Sequence, residues 1–73
     1  MTPTQRRAIL NKHANAHYIR PERLLAHDQT ASVSGIRQRI MRDLRSEGFA
    51  ISEICRILNR SDTTVRFGLR RAA

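Results

Sequence analysis

Between Ser61 and Arg70 the chain gathers side chains that can read or grip a nucleic acid. Ser61, Asp62, Thr63 and Arg66 fall in the opening turns of one prospective helix. Asp62 can accept a hydrogen bond from cytosine N4, and Thr63 can bond a base edge or touch a thymine methyl. Arg66 and Arg70 can fork onto guanine or hold a phosphate. Thr64 and the unpaired amides of a helix start suit a phosphate, and Phe67 follows as a further backbone contact. Capping explains Ser61 and Asp62 taken singly, because both residue types favour N-terminal turns. It explains less well why Thr63, Thr64, Arg66 and Arg70 come together on the same helix.

Other groups with chemical potential do not converge. His13 and His17 stand one helical turn apart, a spacing that can hold zinc. A third ligand would have to come from His27 or an acid, and no Glu lies between the pair as metalloprotease chemistry needs. The plainer expectation is a half-buried His13 and a surface His17, with no metal. Asp43 and Glu47 are also one turn apart, but among Arg39, Arg42 and Arg45 they read as surface ion pairs. No Ser-His-Asp arrangement can be argued. Gly35, Gly48 and Gly68 are isolated, so no glycine loop cradles a phosphate. No catalytic residue and no cofactor is expected, and the chain does not read as an enzyme.

Charge narrows the partner. The 73 residues carry a formal net charge of +8, and of 14 basic residues all but Lys12 are Arg. Arg forks match phosphate oxygens and guanine edges, so this balance favours nucleic acid. A membrane partner is disfavoured, since no long apolar run, signal peptide or basic amphipathic helix with exposed Trp or Phe is present. The single cysteine, Cys55, excludes an intramolecular disulfide and fits a reducing cytoplasm. In its apolar helical context it reads as a small buried residue.

These groups need elements to hold them. The length predicts one domain over residues 1–73. Apolar spacing predicts an all-α bundle of about five helices containing a helix-turn-helix. Pro3 and Thr4 open the first helix, which runs through Ile9, Leu10 and Ala14 to Tyr18. Pro21 starts a short second one bearing Leu24 and Leu25. Residues 28–34 read as a loop, with Ser32 or Ser34 capping the third helix. Its stripe is Ile36, Ile40, Met41 and Leu44, and Gly48 ends it. Phe49 and Ile51 plug the core. Ile54, Leu58 and Val65 lock the last two helices together, with Cys55 at their crossing. Asn59 supplies the left-handed turn residue and Ser61 caps the final helix. Val65 and Leu69 face inward.

Glu53-Ile54 and Arg60-Ser61-Asp62-Thr63-Thr64-Val65 also resemble the C-terminal DNA-binding domain of the bacterial replication initiator DnaA, whose signature runs roughly S-L-x-E-I, a spacer, then R-D-H-[ST]-T-V. Ile9-Leu10, Ala14 and Ile19-Arg20-Pro21-Glu22-Arg23-Leu24-Leu25 look like its opening helices, and Arg37-Gln38, Met41 and Leu44 resemble the helix that follows. The resemblance implies an all-helical, Trp-repressor-like binder of a short duplex box. Its signature helix would enter the major groove and a basic loop the minor groove. It further implies phosphate contacts for Arg37, Gln38, Ser52 and Arg60. Gln29 falls near the family's minor-groove Arg. Three departures are visible. Ser61 replaces the signature Asp and Asp62 its His, residues 28–34 carry no Arg or Lys, and the spacer before Arg60 is one residue shorter. A mismatched position typically costs about 1–3 kcal/mol, so a shifted or relaxed sequence preference is expected.

The expected function is sequence-preferring binding of double-stranded DNA in replication or transcription control, without ATPase activity. The expected protein is a monomer or weak dimer, cytoplasmic and nucleoid-associated, with phages and mobile elements as a natural home. Two rivals remain: a module that binds or blocks a host replication protein, and the DNA-binding segment of a transposase.

Overall fold

In a computed structural model, which describes residues 1–26 and 30–71, the chain forms five helices and no strand among the described residues. They are α1 (Pro3–Ala16), α2 (Pro21–Leu25), α3 (Ala31–Ser46), α4 (Ile51–Leu58) and α5 (Asp62–Arg71). The all-α bundle expected from apolar spacing is what forms.

Local chemistry sets most of the boundaries. Thr2 caps α1 by accepting the Gln5 amide at 3.1 Å, while the Gln5 side chain accepts the Thr2 amide at 2.9 Å. This reciprocal pair satisfies two of the amides a helix start leaves open. Pro21 opens α2 as expected. At α4 the Glu53 carboxylate accepts the Ala50 amide at 2.9 Å.

Three helices end by one device. Tyr18, Gly48 and Asn59 each have positive φ, at 55°, 98° and 53°. In each case the following amide reaches back five residues, Ile19 to Ala14, Phe49 to Leu44 and Arg60 to Cys55. This returns the chain while satisfying a carbonyl the helix would leave open. Gly48 and Asn59 were legible as stops. Tyr18 was not, because a bulky residue at this backbone position is uncommon.

Two expectations are corrected. α3 starts at Ala31, with Thr30 in the capping position, so Ala31, Ser32, Val33 and Ser34 are helical and neither serine is the cap. Val33 is buried, and burying a valine is worth about 1.5–3 kcal/mol, enough to draw a polar run into the helix. The second correction concerns the acids of α3. Glu47 reaches α1, 2.7 Å from His13 Nε2 and 3.6 Å from Lys12 Nζ, and Asp43 lies 3.6 Å from His17 Nε2. His13 is accordingly buried, deeper than the half-buried position expected of it.

The core joins every helix. Leu10, Ala14, Leu24, Ile40, Met41, Leu44, Ile54, Ile57, Leu58 and Val65 form one buried cluster. Phe49, Ile51, Cys55 and Leu69 pack against its edge. α5 lies mainly on α3 and secondarily on α4. Gly68 permits the first contact, since a Cβ there would clash with Met41 Sδ.

Candidate nucleic-acid interface

α4 and α5 are joined by only three residues, Asn59, Arg60 and Ser61. Asn59 turns the chain with φ 53° and ψ 51°. Ser61 then caps α5: its Oγ accepts the Thr64 amide at 3.3 Å and lies 2.9 Å from Thr64 Oγ1. The Val65 amide donates to the Ser61 carbonyl at 3.0 Å. Ser61 and Thr64 therefore serve the helix start as well as facing solvent.

α5 is amphipathic in the sense the reading needs. Val65 and Gly68 are buried, and Leu69 is partly so. Thr63, Arg66, Phe67 and Arg70 recur at helical spacing on the opposite side, and all four are exposed. Phe67 keeps 52 % of its surface in solvent, with the Arg71 guanidinium 5.5 Å above its ring. Asp62 and Arg66 form an ion pair at 2.5 Å across one turn, each side chain 59 % exposed. The carboxylate thus holds the neighbouring guanidinium over the first turn of α5. At this exposure such a pair is worth under about 1 kcal/mol, so a base or phosphate can displace it.

Beside this stripe an open cleft of about 570 Å³ separates the first half of α3 from α5. Gln38, Ser61, Thr64 and Phe67 line it, as do Arg37 and Arg60. The structure thus brings six of the expected contact residues to one groove. Ser52 is exposed in the first turn of α4. Gln29, the minor-groove candidate, lies outside the described residues, as does His27.

Two arginines have another task. Arg37 is only 6 % exposed, and its Nε donates to the Leu24 carbonyl at 3.1 Å. Its Nη2 is 3.4 Å from the Ala26 carbonyl. Arg60 donates to the carbonyls of Leu24 at 3.2 Å and Leu25 at 3.3 Å, and to that of Ala26. Both guanidiniums therefore close the C-terminal end of α2, where carbonyls are open and the helix dipole favours a cation. Burial holds the Arg60 pKa below its ordinary value. Arg37 and Arg60, both expected to contact phosphate, thus also brace main-chain oxygens from the edge of the cleft. Sequence spacing could not reveal this, since α2 and the α4–α5 turn are 34 residues apart from Ala26 to Arg60.

Cys55 sits half-buried beside the crossing. Burial chiefly, and then the charge of Asp62, pushes its thiol pKa up. Among the described residues no group of three or more His, Cys, Asp or Glu could hold a metal ion. No described helix is long and apolar enough to cross a membrane.

Comparison with known proteins finds no matching family model, no similar curated protein and no similar solved structure.

Proposed function

We propose that this chain binds double-stranded DNA by setting the first turns of α5 into the major groove, with Thr63 and Arg66 reading bases. The observation that carries this reading is the outward stripe of Thr63, Arg66, Phe67 and Arg70 on a helix whose other side is buried. A short helix so presented, preceded by a tight turn and a second helix, has the docking form of a helix-turn-helix. The net charge of +8 supplies the attraction to phosphate. The resemblance of Arg60 to Val65 to the DnaA signature supports a duplex target and a role in replication or transcription control. With Asp62 occupied by Arg66, the proposed site differs from the family's box. A cytoplasmic, nucleoid-associated protein acting without ATPase activity fits this reading.

Selection of bound sequences from a random duplex pool, followed by titration of the winner against a scrambled duplex, tests it. Thr63→Ala and Arg66→Ala should weaken the winner more than the scrambled sequence, whereas Arg70→Ala should weaken both alike. Equal losses for all three mean that no bases are read. No binding at low salt removes the reading altogether.

A further inference from the structure

We propose that Arg6 and Arg56 form a second phosphate-gripping surface, on the far side of the turn from the α3–α5 cleft. The proposal rests on the duplex-binding reading above and adds to it a strand contact outside α5. A separate open cleft of about 290 Å³ lies between α1 and α4, lined by Arg6, Arg7, Arg56 and Asn59. Asn59 also lines the α3–α5 cleft, so the two grooves meet at the turn.

The three arginines are not equivalent. Arg7 is held by Glu22 at 2.6 Å. Among the described residues no ion pair engages Arg6 or Arg56. Like charges lining one small cleft repel in the free protein, and a bound anion relieves that repulsion. A guanidinium offers a planar fork that matches phosphate oxygens, which suits a phosphodiester.

The position of Arg56 selects DNA as the source of that phosphate. Arg56 stands one turn after Ser52, so both lie on one exposed stripe of α4. Asn59, one turn further along the same helix end, lines both clefts, so this stripe runs into the turn that carries α5. With α5 in a major groove, a bordering strand passes this side of the turn. Arg6, from the first half of α1, extends the grip away from the groove.

Anisotropy titrations over a range of salt, on the selected duplex and on a scrambled one, test this with intact chains. The Arg6→Ala/Arg56→Ala variant should bind both duplexes more weakly by the same factor. Its log affinity should fall less steeply with log salt, the slope shrinking by about 1.8 for two lost contacts. The charge-conserving variant Arg6→Lys/Arg56→Lys should keep most of the slope. Each single alanine variant should lose about half of the effect, which settles the matter if the double variant melts early. An unchanged slope with wild-type DNA binding intact overturns the second surface alone. A loss confined to the selected duplex overturns it too, since a phosphate grip carries no sequence information. Absence of wild-type binding removes this surface together with the duplex reading.

Discussion

Arg37 and Arg60 share one acceptor: the Leu24 carbonyl receives Arg37 Nε at 3.1 Å and Arg60 Nη2 at 3.2 Å. One arginine comes from α3 and the other from the turn before α5, so the end of α2 is fixed to both walls of the candidate groove. The same turn that aims α5 is thereby anchored to the opposite side of the bundle.

Removing this brace should act on stability before binding. Arg37→Ala removes one of the two arginine donors to the Leu24 and Ala26 carbonyls together with the packing of a buried side chain, which costs about 1–3 kcal/mol. Arg37→Lys should not restore it, because one ammonium cannot reproduce the planar fork. Thermal melts followed by circular dichroism check this. An Arg37→Ala protein that melts like wild type but binds DNA weakly would leave Arg37 the phosphate role alone.

Gly68→Ala should destabilise the fold. Alanine gains about 1 kcal/mol over glycine inside a helix. Against this, the added methyl clashes with Met41 Sδ, and relief requires the buried thioether to leave its packed position for the edge of the α3–α5 cleft. Overpacking of this kind costs about 1–3 kcal/mol, so the clash prevails. Denaturant unfolding gives the sign directly, and a higher midpoint would contradict the packing argument.

Tyr18→Gly should stabilise the protein. Tyr18 is 98 % exposed and sits at φ 55°, where a side chain costs about 1 kcal/mol that glycine avoids. Greater freedom of glycine in the unfolded chain offsets part of the gain. A raised melting temperature with unchanged DNA binding is the expected pair of results. A large drop would show that the ring makes a contact its exposure does not suggest.

Asp62→Asn should tighten binding to scrambled duplex and narrow the margin for the selected one. The change removes a negative charge from the face proposed to meet phosphates and releases Arg66 from its 2.5 Å partner. If Asp62 also reads a base, the selected duplex loses about 1–3 kcal/mol of preference. Side-by-side titrations separate the two effects. A fall in affinity on both duplexes would show that the ion pair, rather than a free Arg66, positions the reading surface.

The Cys55 thiol should alkylate slowly at mildly alkaline pH, because its raised pKa leaves less thiolate than an ordinary cysteine has. A folded pKa above the unfolded one gives a contribution fully present below the unfolded value and lost as pH rises through the folded value. Asp62→Asn should quicken the alkylation modestly, since burial is the larger cause and Asp62 the lesser. No change in rate would detach Cys55 from the charges at the front of α5.

The amino-acid sequence alone determined the helices and the outward face of the last one. Apolar residues recurring at helical spacing, with Asn59 and Gly48 as left-handed stops and Ser61 as a cap, depend on neighbours within a turn or two, and such local rules can be read along a chain. The start of α3 escaped them, because the burial of Val33, which spacing did not display, favours the helix there. The roles of the arginines were decided only by tertiary structure. Thirteen guanidiniums look alike in sequence, and what separates them is which distant element each one meets. Folding set Arg37 and Arg60 against the carbonyls of α2, gave Arg7 to Glu22, and left Arg6 and Arg56 together at a cleft between α1 and α4. Long flexible side chains reach partners far away in sequence, so their assignment follows from the packing of the helices and not from the order of residues.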